Sequence, residues 1–128
     1  MIKCNNELPK EGPKFLVTIK CNSQRFASRD ELMNVYENTV KKAVGSEWIS
    51  RVAFELDRQC RLHLHTIAYF KKKPWFKKFM VKGYTVHFKQ IQKDVEKVYQ
   101  YINKNSHNLY TDQEMEWYSK ASFHNLFI

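Results

Sequence analysis

Between Lys14 and Cys21 apolar and polar residues alternate well enough for a strand, with Val17 and Ile19 as β-formers. Ser28 followed by Glu31 is a capping box, which opens a helix. Leu32, Val35, Tyr36, Val40, Ala43 and Val44 make the apolar stripe of that helix, and Gly45 ends it. Trp48 to Asp57 reads as a strand, Leu62 to Phe70 as its antiparallel partner, and Tyr84 to Lys89 as a further strand. A second helix is expected from about Gln92 to Lys104. Thr111 with Glu114 forms another capping box, opening a short terminal helix through Trp117 and Tyr118. Residues 1–13 are polar, carry Pro9 and Pro13, and read as a loose N-terminal arm.

The order strand, helix, hairpin, strand, helix, helix predicts an α+β fold, with a central antiparallel sheet of about five strands flanked by helices. Ferredoxin-like folds are the natural class. The 128 residues make one domain, with no repeats and no internal linker. Glycine occurs only at Gly12, Gly45 and Gly83, so no phosphate-binding P-loop can be written. No apolar run reaches membrane-spanning length and no secretory signal opens the sequence, so an intracellular protein without a membrane partner is expected. Cys4, Cys21 and Cys60 are an odd set without close pairing, which suits free thiols in a reducing interior.

The net charge of +9 changes the picture through its location. Residues 58–93 hold ten Lys or Arg and no Asp or Glu, which leaves the remainder with 12 basic and 13 acidic residues. The whole excess thus lies in one block, where Lys71, Lys72, Lys73, Lys77 and Lys78 sit beside Phe70, Trp75, Phe76 and Phe79. Cations interleaved with aromatics suit a strand of phosphates carrying stackable bases.

His63 and His65 are two apart on a strand and point to one face, while Leu62 and Leu64 point to the other. A hairpin through residues 57–61 would set Leu56 opposite Leu62 and Glu55 opposite His63. Two imidazoles and a carboxylate then form an open three-ligand site suited to Mn²⁺ or Mg²⁺. The placement is conditional, because a one-residue change of register throws Glu55 out of line. Asp57 is a second carboxylate on the same strand, and Cys60 with the histidines is a lower-ranked zinc alternative. On the late helix, Ile91, Val95, Val98 and Ile102 form a stripe spaced four, three, four, with Tyr99 and Tyr101 flanking it on opposite sides. Lys104, three residues after Tyr101, is its surface neighbour. A phenol attacks poorly until a lysine or metal stabilises its anion, so Tyr101 is the candidate nucleophile, Lys104 its helper and Tyr99 the packing residue. Together these features point to a metal-dependent tyrosine nuclease acting on single-stranded DNA.

In order, Phe15-Leu16-Val17-Thr18-Ile19-Lys20-Cys21, Glu55 with His63-Leu64-His65, and Tyr101-Ile102-Asn103-Lys104 resemble the three motifs of the rolling-circle replication initiators (Rep), the His-hydrophobic-His or HUH endonucleases. The likeness is greatest to the Rep nuclease domains of geminiviruses and related circular single-stranded DNA viruses, and it spans about Lys14 to Lys104. The first motif lacks the Tyr-Pro often found at its centre, and Asn105 and Ser106 stand where an acidic residue and a glycine often follow the lysine. The resemblance implies a ferredoxin/RRM-like HUH fold without a helicase domain in this chain. It implies nicking of a stem-loop origin through a 5′-phosphotyrosine at Tyr101, with the metal on Glu55, His63 and His65 and charge assistance from Lys104. Lys20, Arg25, Lys71 and Lys73 are the expected DNA contacts. Self-association in a full-length Rep and a place in the host nucleus, for a eukaryotic viral Rep, are implied too. The alternatives are a non-catalytic single-stranded nucleic-acid binder of RRM-like fold and a single-tyrosine transposase.

Overall fold

The computed structural model describes residues 2–3, 12–23, 25–44, 48–57, 61–70, 81–92, 94–104 and 113. The elements are β1 (Ile2–Lys3), β2 (Lys14–Cys21), α1 (Arg29–Val44), β3 (Trp48–Leu56), β4 (Leu62–Tyr69), β5 (Tyr84–Gln90) and α2 (Val95–Lys104). The chain is α+β: β3, β4, β2 and β5 lie side by side in that order, each antiparallel to its neighbour. The arm expected before Lys14 is not loose throughout, since Ile2 and Lys3 pair in parallel with Trp48 and Ile49 and cover the outer edge of β3. Of the expected terminal helix after Thr111 only Gln113 is described, and it is helical; the Gly45 stop, Cys4 and Cys60 lie outside the described residues.

Strict alternation along β2 sends Phe15, Val17, Ile19 and Cys21 to one face of the sheet, where all four are buried. Leu62, Leu64 and Ala68 from β4 join them beneath Leu32, Tyr36 and Val40 of α1. Burying such side chains is worth about 1.5–3 kcal/mol each, so this layer is the main source of stability. The hydroxyls of Tyr36 and Ser50 hydrogen-bond across it, so two buried polar groups satisfy each other. Cys21 is a buried free thiol in this core.

Ser28 caps α1 as expected: its Oγ accepts from the Glu31 amide at 3.1 Å. The Glu31 carboxylate turns outward and takes both guanidinium nitrogens of Arg25, at 2.9 and 2.7 Å. The Tyr84 hydroxyl donates to the same carboxylate, tying the start of β5 to the start of α1. Gly83, at φ +87°, turns the chain into β5, and its carbonyl accepts from Asn22 at 2.8 Å.

α2 packs on the opposite face, so the sheet carries a helix on each side. Ile102, Ala53, Ile67 and Tyr69 form a smaller buried cluster there, with Leu16, Ile49, Ile91, Val95, Val98 and Tyr99 packed around it. The helix starts at Val95 rather than near Gln92, because the Asp94 carboxylate accepts from the Lys97 amide at 3.3 Å and caps it.

Candidate metal and tyrosine site

The register of the β3–β4 hairpin decides which side chains can meet. Leu56 stands opposite Leu62 and Glu55 opposite His63, as the turn length requires. Two contacts fix that register at the turn: the Asp57 amide donates to the Arg61 carbonyl at 2.9 Å, and the Arg61 amide donates to Asp57 Oδ1 at 2.9 Å. Since neighbours across strands share a face, His63 has Glu55 on one side and Lys20 on the other, and His65 lies between Ala53 and Thr18. The row continues to β5, where Thr85 pairs with Lys20 and His87 with Thr18. This is the face covered by α2, while Leu62 and Leu64 lie buried in the other layer.

Both imidazoles are held neutral. Burial pushes His65 down to about 4, and the neighbouring His63 adds to the effect. Burial likewise lowers His63, partly opposed by the charge of Asp57 and aided by that of Lys20. The two rings meet edge-on with centroids 5.9 Å apart. His65 Nδ1 lies 3.2 Å from Thr18 Oγ1, a contact that orients the ring and leaves Nε2 as the atom through which it would bind a metal. His63 Nε2 is buried and lacks a hydrogen-bond partner of good geometry. The carboxylate in contact with it is Asp57, whose Oδ2 lies 3.1 Å away, rather than Glu55. Asp57 Oδ2 is also 3.4 Å from Arg61 Nε.

Neutral imidazoles beside carboxylates are suitable donors for Mn²⁺ or Mg²⁺ with further oxygen ligands. Their side chains do not form a closed set: among the described residues, no three His, Cys, Asp or Glu groups are gathered to hold a metal. Glu55, His63 and His65 therefore share a face and a register without converging on one point. The buried His63 Nε2 with Asp57 Oδ2 3.1 Å away is the local feature that fits a cation best.

α2 separates its two tyrosines as its periodicity dictates. Tyr99 packs against the sheet with its ring under the Arg51 guanidinium, 4.4 Å from centroid to Cζ. Tyr101, about 200° further round the axis, is 71% exposed. Ile102 and Ala53 belong to one buried cluster, and Ala53 pairs with His65 across the ladder, so α2 packs on the face that carries the histidines. Lys104 is exposed at the end of that turn.

Lys20 lies in the histidine row, paired with His63. Arg25 lies elsewhere, engaged with Glu31 and Tyr84 beside α1. Lys71 and Lys73 fall outside the described residues. Thr18, Arg51 and His87 have no role foreseeable from the sequence, where Asp57 stands only as a second carboxylate beside Glu55. Asp57 was within reach, since it is in phase with Glu55 along the strand and its side chain can close the turn. The other three owe their positions to pairings over 20 to 70 residues of sequence, which no local pattern encodes. No protein-family model, curated protein or solved structure matches this chain.

Proposed function

We propose that the protein is a metal-dependent endonuclease and strand transferase acting on single-stranded DNA, with Tyr101 as its nucleophile. One observation carries the reading: His63 and His65 lie on the sheet face against which α2 packs, and Tyr101 on α2 is 71% exposed. The strand order β3-β4-β2-β5, with α1 linking β2 to β3 across β4, supports the fold that this activity needs, a split β-α-β unit of ferredoxin type. On this reading the chain is a Rep-like nuclease domain that nicks a stem-loop origin, within the host nucleus if the source is a eukaryotic virus.

His63 and His65 would hold Mn²⁺ or Mg²⁺ together with a carboxylate from Glu55, and Asp57 stands nearest to His63. A bound divalent ion supplies positive charge at the scissile phosphate. The chain's own groups do the rest. Tyr101 Oη attacks phosphorus and gives up its proton, and the DNA 3′ oxygen departs and takes one up. The products are a 5′-phosphotyrosine and a free 3′-hydroxyl. Attack by that hydroxyl on the phosphotyrosine reverses the step and rejoins strands. Lys104, one helical turn from Tyr101, places a cation near the phosphate oxygens and the phenolate. Lys20, beside His63, is the described basic residue best placed to meet the DNA backbone.

The test is covalent capture. Wild-type protein with Mn²⁺ and a labelled stem-loop oligonucleotide pool should give an SDS-resistant adduct. Tyr101→Phe should abolish the adduct while leaving single-strand affinity within about twofold, because the phenol acts in the transition state and not in binding. An adduct that survives in the Phe variant removes Tyr101 from the role. Binding by the wild type with no capture under any divalent ion would favour a non-catalytic single-strand binder.

A further inference from the structure

Tyr99 and Glu96 are gripped from the sheet by a single side chain, Arg51 of β3. Its Nη1 lies 2.7 Å from Glu96 Oε1, and its guanidinium stacks over the Tyr99 ring at 4.4 Å. The base of Arg51 is itself fixed: its backbone pairs with Ile67, and its carbonyl accepts a 2.9 Å hydrogen bond from the fully buried Thr66 hydroxyl. Glu96 and Tyr99 are three apart and share one flank of α2. Tyr101 leaves from the other flank, about 200° from Tyr99 around the axis.

We infer that Arg51 is a positioning residue for Tyr101, holding α2 at the rotation that presents the phenol. The inference rests on Tyr101 being the nucleophile, as proposed above. Ile102 is the one buried side chain among the described residues of α2. Val95 and Val98 pack beside it only partly buried, so this narrow stripe sets how closely the helix approaches the sheet and restrains its rotation less than a fully buried face would. The two-point contact through Glu96 and Tyr99 fixes that rotation. A roll of about 20° moves the outer surface of a helix by roughly 2 Å, and a misplacement of about 1 Å can cost on the order of 100-fold in rate. Glu96 is 57% exposed, and an exposed ion pair contributes little to stability. The ion pair therefore contributes mainly to the geometry of α2, while Arg51, 26% exposed, also bears on the Tyr69 hydroxyl.

The experiment compares wild type, Arg51→Met, Glu96→Gln and the charge exchange Arg51→Glu with Glu96→Arg. It measures single-turnover adduct formation with Mn²⁺ and a single-stranded oligonucleotide, oligonucleotide affinity, and hydrogen exchange over 95–104. Arg51→Met should slow adduct formation by about 10- to 100-fold, speed exchange in α2 alone, and leave affinity within about twofold. Glu96→Gln, an exposed change that leaves the core untouched, should show a smaller effect of the same sign. The charge exchange restores the ion pair but not the stacking on Tyr99, so it should recover part of the rate, which a purely structural loss at either position would not allow. Wild-type rate and wild-type α2 protection in Arg51→Met would overturn the inference. A drop in affinity matching the drop in rate would overturn it too, by making Arg51 a DNA contact. If the wild type forms no adduct at Tyr101, the nuclease reading fails, and the inference that rests on it falls with it. Unchanged α2 exchange in Arg51→Met beside a normal wild-type adduct and rate defect would instead reject the positioning role alone.

Discussion

The two histidines show how burial and one hydroxyl prepare a residue for ligand chemistry. His65 is pushed down to about 4 and His63 is lowered as well, so both rings are neutral at pH 7 and free of the proton that would compete with a metal. The same shifts couple to stability. In the unfolded chain a histidine takes its proton near pH 6.5, whereas folded His65 resists protonation until about pH 4. Between those values the unfolded state binds more protons, so stability rises with pH across the window and is lost as pH falls through it. Urea unfolding between pH 7 and pH 4.5 should show that decline, and His65→Gln should make it shallower; an equal slope in both proteins would contradict the assignment. Thr18 is the second test at this scale. Thr18→Val removes the contact to His65 Nδ1 and should cost about 1 kcal/mol of stability. It should also weaken Mn²⁺ binding by about tenfold in titration calorimetry, as loss of an orienting partner does. The histidine pair itself was legible from the spacing of 63 and 65, and Glu55 opposite His63 followed from a five-residue turn. The role of Asp57 was not, because choosing between two carboxylates in phase on one strand depends on how the turn directs each side chain.

α2 is the element on which the site depends, and it is lightly held. Its apolar stripe was readable from the spacing of Ile91, Val95, Val98 and Ile102, and that stripe faces the sheet. Its start was misjudged, since Asp94 caps the helix without the acidic partner three residues on that marks a capping box. Ile102→Ala removes the helix's buried anchor and should cost about 3 kcal/mol. Urea unfolding would measure it, and a loss under about 1 kcal/mol would mean that α2 is not docked as described. Strand partners were legible only for the β3–β4 hairpin, where the connection is short. The pairing of β2 with β4 and β5 spans too much sequence for periodicity to reach, and with it went the chance of foreseeing Thr18 and His87 in the histidine row.

Over the whole molecule, the placement of charge supports the proposed single-stranded DNA partner. The excess positive charge sits in residues 58–93, which include the histidine strand and β5. Within β5, Thr85, His87 and Lys89 are exposed on the histidine face. No helix among the described residues is long and apolar enough to cross a membrane. Binding of a single strand through about four phosphates should fall with salt at a log–log slope of about −3. Fluorescence anisotropy between 50 and 200 mM salt measures that slope, and a flat response would remove the electrostatic footing of the proposal. Coarse architecture was readable because alternation and helical stripes are local, whereas the meeting of α2 with the histidine face depends on the assembled sheet. The most direct measurement is mass mapping of the nucleotide-bearing peptide after wild-type protein is incubated with Mn²⁺ and random-pool single-stranded DNA. The account predicts one modified residue, Tyr101, lost when His63 and His65 are both replaced by Gln. A nucleotide on Tyr99 or any other residue, or on none under conditions where DNA is bound, would contradict it.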